Sequence, residues 1–204
     1  MDMLFSDEIA ASNLTDWRKL AQGLHARYLL DDFQSGIEFL AAVGRAGRDT
    51  GHYPSATVAA GHVDLTLMSE NAIYREQDGT EHVVQWVTQK DIDLARLITE
   101  IAEAQGLVPD PRSVAMFEMG VDATDSAAIA PFWAALLTGD PSSQGRGTPG
   151  DEIRDATGRV PHLWFGDLDD RSSRGGRVPV EGDVGGAVVE ERVARALAAG
   201  GTVV

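Results

Sequence analysis

The chain has 204 residues, 43% hydrophobic and 24% charged, a balance that suits a globular protein of one large domain or two small ones. Its 32 acidic and 17 basic residues leave a formal charge of −15, which repels phosphate backbones and anionic headgroups and argues against nucleic-acid or membrane partners. With no cysteine there is no disulfide, thiolate nucleophile or Cys-ligated zinc; no signal-peptide pattern opens the chain, and the longest apolar run, 127–137, is too short for a bilayer, so a cytoplasmic protein is expected.

Residues 6–14 read as a short helix with Ser6 as N-cap and Asp7 and Glu8 in its first turn, where carboxylates meet the positive end of the helix dipole. Residues 17–30 are strand-like, with a turn near Gln22-Gly23. Asp32 caps a helix whose apolar positions Phe33, Ile37, Leu40 and Val43 recur at helical spacing and predict its core face. Residues 63–67 alternate apolar and polar, the mark of a half-buried strand, and His62 before them is expected in solvent. Gln77-Asp78-Gly79 reads as a hairpin turn between strands at 72–75 and 82–86, which makes His82 a cross-strand neighbour. Thr88 with Asp91 is a variant capping box, opening a helix whose buried stripe is Ile92, Ala95, Ile98, Ile101 and Ala102. Two prolines in residues 107–112 predict a linker, so that one domain spans 1–106 and a second 113–204.

In the second part, residues 114–122 read as a strand. Asp125 or Ser126 caps a helix carrying Ile129, Phe132, Trp133, Leu136 and Leu137. A Gly/Pro/Ser-rich loop at 139–150 is followed by strands at 152–156, 161–168 and 178–184, the last two separated by a polar tract at 169–176. An alanine-rich helix at 188–199 and the start of a strand at 202–204 complete the pattern. The order is βαβββ and then the opening βαβ of a second copy, which implies either a truncated sequence or an incomplete second module.

The gapless stretch from Phe33 to Leu67 contains Gly51-His52-Tyr53-Pro54 and Val63-Asp64-Leu65-Thr66-Leu67, and Thr88-Gln89-Lys90-Asp91-Ile92-Asp93-Leu94-Ala95 follows it. This series resembles the pterin-4a-carbinolamine dehydratases, which remove water from 4a-hydroxytetrahydropterins. Residues 116–122, Ala130-Pro131-Phe132-Trp133, Leu163-Trp164-Phe165 and 196–201 resemble the glyoxalase-like vicinal oxygen chelate superfamily. Together the resemblances imply an α+β chain: a dehydratase-like antiparallel sheet with helices on one face, followed by a βαβββ glyoxalase-like domain.

Dehydrating a carbinolamine needs an acid at the leaving oxygen and a base for a ring-nitrogen proton, roles that suit histidine, whose unperturbed pKa is about 6.5. The family places them in a His-His-Pro motif, with a third histidine sixteen residues beyond the proline and an acid four before the first histidine. His52 and Pro54 match this pattern, as does Asp91 in the helix-opening motif. The second histidine falls on Tyr53, the third on Glu70, the upstream acid on Arg48 (with Asp49 adjacent), and an aromatic residue six after the proline on Ala60.

The resemblance therefore implies His52, Tyr53 and Glu70 as the acid/base set, and Arg48, Asp49, Pro54 and Asp91 at the substrate. Tyrosine, unperturbed near about 10, donates but is a poor base at neutral pH; glutamate, near about 4.3, is a base unless burial raises it. Arg48 reverses a charge and suits an anionic or carbonyl-bearing ligand. The insertion between Glu70 and Asp91, holding Tyr74, His82 and Trp86, is longer than the family's loop and is expected to reshape or cover the pocket.

In the second domain Glu118, His162 and Glu181 are the metal-ligand candidates, and Pro179 stands where related sequences often carry a histidine. Neither a metal nor a cofactor is expected, and Trp133, Trp164 and Phe165 are expected in the core. The implied function is that of a 4a-hydroxytetrahydrobiopterin dehydratase with a degenerate site, acting as a homo-oligomer on a pterin-like or other heterocyclic small molecule. The alternatives are a repurposed dehydratase or cyclase of secondary metabolism, and a non-catalytic ligand-binding or oligomerisation scaffold.

Overall fold

A computed structural model describes residues 1–123, 125–138, 162–167, 180–186 and 189–198. The chain divides into two compact units, Met1–Val114 with Val184–Val204, and Ala115–Asp183. In the first unit the element order is α1 (Ser6–Ala11), β1 (Trp17–Leu20), β2 (Gly23–Leu29), α2 (Phe33–Thr50), β3 (Ser55–Val58), β4 (His62–Leu67), β5 (Ser69–Arg75), β6 (Glu81–Trp86), α3 (Gln89–Ala104) and β7 (Val108–Pro109).

The main sheet runs β1-β2-β4-β3, antiparallel throughout, with β7 also paired to β2. Strand β2 is its spine. Leu24, Ala26 and Tyr28 point to one face, and their partners Leu67, Leu65 and Val63 on β4 point the same way; all six are buried. Phe39 and Val43 of α2 and Ile92, Ala95, Ile98 and Ala102 of α3 join them in one cluster, so both helices cover the same face of the sheet. The opposite face is polar: Arg27 pairs with Asp64 through two hydrogen bonds of 2.6 and 2.7 Å, and His25 meets Thr66 at 3.1 Å. His62, expected in solvent, is half-buried and lies 3.6 Å from Asp64. Beneath the helices the Tyr28 hydroxyl, fully buried, donates to Asp16 at 3.1 Å and lies 3.3 Å from Thr99, to which Trp17 Nε1 also donates.

The structure adds to or departs from the local reading at four places. The N-cap of α1 is Phe5, whose N–H donates to Glu8 at 2.8 Å; Glu8, at the third helical position, supplies the carboxylate that caps backwards. The core face of α2 is Gly36, Phe39, Val43 and Gly47, while Phe33 and Ile37 are 55% and 44% exposed. Period alone could not separate these faces, because the buried Gly36 and Gly47 carry no hydrophobic signal. Strand β3 went unread, since a mostly exposed four-residue edge strand has no alternation to show. Residues 107–112 contribute β7, where the absent N–H of Pro109 costs nothing at a sheet edge.

The β5–β6 hairpin forms as the sequence predicts, with Tyr74 opposite His82. The first residues of the chain run along its outer edge. Met3 N donates to Ile73 O, Ile73 N to Met1 O, Leu4 N to Val87 O and Trp86 Nε1 to Leu4 O, at 2.8–3.0 Å, and Arg75 pairs with Asp2.

In the second unit β8 (Ala115–Ala123) lies between β10 (Val180–Val184) and β9 (His162–Asp167), and β8 and β9 are parallel, with α4 (Ser126–Thr138) between them in the chain. Asp125 caps α4, accepting from Ala128 N at 3.0 Å. Ala130, Leu163 and Phe165 form the core, with Ile129 and Trp133 packed against it; Phe132 and Leu136, expected on this face, are exposed. Helix α5 (Val189–Ala198), which groups with the first unit, ends the described chain. The loop at 139–150, the strands at 152–156 and 202–204 and the tract at 169–176 lie outside the described residues. No described helix is long and apolar enough to cross a membrane.

Candidate active site

The site begins where α2 ends. Gly51 adopts φ 63°, the left-handed conformation that closes a helix, and the chain turns back so that His52 N donates to Gly47 O at 3.2 Å. This return needs a glycine at 47, because a Cβ there would stand 2.5 Å from His52 O and 2.6 Å from the Tyr53 ring. The turn brings His52 against the start of α3.

There His52 Nε2 lies 2.7 Å from Asp91 Oδ1. Asp91 is fully buried, while the His52 side chain remains 15% exposed. The other carboxylate oxygen accepts from Ser69 Oγ at 2.7 Å, Thr88 N at 2.8 Å and Thr88 Oγ1 at 3.1 Å, and the two hydroxyls lie 2.8 Å apart. Asp91 is thus the capping acid of α3 and, through its second oxygen, the partner of His52. Burial alone would raise its pKa; the hydrogen bonds from His52, Thr88 and Ser69, with the charge of His52, outweigh it and hold the carboxyl below its ordinary value. An ionised carboxylate only accepts, so His52 carries a proton on Nε2, and Nδ1 takes no part in that contact.

The network joins three segments distant in sequence: the turn after α2, the start of β5 and the N-terminus of α3. Tyr53 and Glu70 each follow directly on a member, His52 and Ser69. Tyr53 is 53% exposed and Glu70 is also exposed, and neither side chain has a hydrogen-bond partner among the described residues. Arg48 and Asp49 sit exposed on the last turn of α2, Pro54 is half-buried, and Ala60 is exposed. None of these makes a polar side-chain contact with His52 among the described residues. Ser69 is the member that the sequence reading missed; its signal was a lone hydroxyl, buried, directly before the position of the third family histidine.

The hairpin rises from the same place. Its Tyr74 and His82 rings stack at 6.2 Å, His82 Nε2 lies 2.6 Å from Glu76, and Trp86, opposite Ser69, carries the Lys19 ammonium 3.8 Å from its ring centroid. In the second unit Glu118 stands opposite His162 in register and Glu181 lies on β10 of the same sheet. Among the described residues no group of three His, Cys, Asp or Glu side chains could hold a metal.

The sequence model of the family described as Pterin 4 alpha carbinolamine dehydratase matches residues 3–101, and that of a Glyoxalase-like domain matches residues 118–204. A Thermosynechococcus vestitus protein named "Putative pterin-4-alpha-carbinolamine dehydratase" is 28% identical over 47% of this chain and 87% of its own length. A Natronomonas pharaonis protein of the same name is 28% identical over 50% of this chain and 98% of its own. A crystal structure of a transcriptional coactivator/pterin dehydratase from Brucella melitensis superimposes with a TM-score of 0.40 at 24% identity, covering 50% of this chain and 99% of that one. The N-terminal half of this chain is thus similar to the pterin-4a-carbinolamine dehydratase family, and its C-terminal half to a glyoxalase-like domain.

Proposed function

We propose that the N-terminal domain is a hydro-lyase for a pterin 4a-carbinolamine, with His52 as its principal acid/base. The observation that carries this reading is the 2.7 Å contact of His52 Nε2 with a fully buried, ionised Asp91. A carboxylate in that place fixes the ring and leaves Nδ1 to exchange a proton with a ligand. Asp91, with both oxygens occupied, is a positioning residue in this reading. Protonated His52 gives its proton to the leaving 4a-hydroxyl, which departs as water. A ring-nitrogen proton goes to a base, for which exposed Glu70 is available, and the quinonoid dihydropterin results. Tyr53 supplies a hydrogen bond, and Arg48, Asp49 and Pro54 line the approach.

The test is to generate 4a-hydroxytetrahydropterin and follow quinonoid dihydropterin by absorbance. Wild type should exceed the uncatalysed rate, and His52→Ala should lose about 10²-fold or more, the contribution typical of a general acid/base. Equal rates with and without protein would sink the proposal. Exposed Tyr53 and Glu70, where the family has histidines, favour a second reading: the same pair of His52 and Asp91 serving another heterocyclic or carbonyl-bearing substrate. It is distinguished by screening such compounds against wild type and His52→Ala.

We also infer a homo-oligomer, supported by the exposed Phe33 and Ile37 on α2; light scattering on the purified chain tests it, and a monomer at micromolar concentration would count against it. A boundary at 107–112 and a cytoplasmic location are retained as parts of this reading.

A further inference from the structure

A cavity of about 520 Å³ opens between α1 and β1, away from His52. Its floor is Ile9, Leu14, Trp17 and Leu24, and Arg18 and Lys19 stand at its rim. Ile9, Trp17 and Leu24 are buried, so the floor is held by the core of the domain and does not depend on a mobile loop. The volume lies within the range of small-molecule sites, and an apolar floor with a few polar groups at the edge is their usual composition. The cavity is distinct from the His52 site. Trp17 Nε1 bonds to Thr99, eight residues along α3 from Asp91, which at the helical rise is about 12 Å.

The chemistry of the rim names the ligand class. Arg18 donates to the carbonyls of Thr15 and Trp17, at 2.9 and 2.7 Å, and has no carboxylate partner among the described residues. An arginine whose partners among the described residues are backbone carbonyls, beside an apolar hollow, suits an external anion. Beside it Lys19 donates to Ala21 O and lies over Trp86, which holds a second positive charge at the same edge.

We propose that the α1–β1 cavity is a second small-molecule site, taking an aromatic body of one or two rings whose carboxylate or sulfonate pairs with Arg18. The rings cover the Trp17 and Leu14 side of the floor, and the anionic group remains at the rim. This site is independent of the chemistry at His52.

The probe is 8-anilinonaphthalene-1-sulfonate, titrated into the full chain by fluorescence at low salt. Wild type is expected to bind one equivalent saturably, Arg18→Glu to weaken binding about tenfold or more, and His52→Ala to bind as wild type does. Ala10→Trp fills the hollow from an exposed lining position and should abolish the saturable signal, which keeps the proposal testable if Arg18→Glu misfolds. A non-saturable signal would overturn the proposal. So would equal affinity in wild type and a folded Arg18→Glu, or a signal lost in His52→Ala and retained in Ala10→Trp.

Discussion

At Asp91 burial and hydrogen bonding act in opposite directions, and the bonds win: four donors converge on one carboxylate from which water is excluded. Replacing it by alanine strands the Thr88 N–H, two hydroxyls and the His52 ring. Asp91→Ala is therefore expected to cost about 3 kcal/mol, read as a lower denaturation midpoint in urea; an unchanged midpoint would contradict the network. Because its folded pKa is lowered, the carboxylate stabilises the fold above its unfolded value of about 3.9, and this stabilisation is lost as pH falls through the lower folded value. Asp91→Asn should accordingly flatten the acid limb of a stability profile while leaving the alkaline limb in place. Tyr28 behaves in the opposite sense. Burial pushes its phenol well above the usual tyrosine value, so its contribution is complete below about pH 10 and is lost as the pH climbs above that. Tyr28→Phe should remove this alkaline sensitivity at a cost of about 1 kcal/mol, checked by urea titrations at neutral and alkaline pH.

Among the elements, α2 does more than cover the sheet, since its final turn aims the histidine. Gly47→Ala puts a methyl against the His52 carbonyl and the Tyr53 ring, so the return turn must open. The expected result is a loss of about 2 kcal/mol together with a disturbed His52 imidazole signal in NMR; an unperturbed histidine resonance would mean that the turn does not depend on close approach. The β5–β6 hairpin is held from outside by the first four residues, through backbone bonds to Ile73 and Val87 and the Trp86 indole bond to Leu4. Removing residues 1–4 should speed amide exchange at Ile73 while the amides of β2 and β4 keep their protection; uniform exchange across the domain would refute this local role.

Across the whole molecule the excess of 15 negative charges is a self-repulsion that salt screens. Thermal stability should rise between about 0.02 and 0.5 M sodium chloride, as followed by circular dichroism. A fall would mean that specific ion pairs such as Arg27–Asp64 outweigh the net charge.

The sequence by itself determined the elements whose signals are local. Hydrophobic alternation marked β4, the Asp78-Gly79 turn marked the hairpin, and the spacing of Thr88 and Asp91 marked the start of α3. The family resemblance also marked His52 and Asp91 as site residues, the first as a catalyst and the second at the substrate. Only the tertiary structure decided which face of α2 is core, because that depends on how closely Gly36 lets the helix approach Leu30 and Val58, and glycine is silent in any hydrophobic pattern. Only it joined His52, Ser69 and Thr88 through one carboxylate. The bonds of His52 to Asp91 and of Ser69 to Thr88 and Asp91 cross 19 to 39 residues of chain, and no local period records such a distance. The cavity beside Trp17 was hidden for the same reason, since its walls come from α1, β1 and β2 and meet only once the sheet has formed.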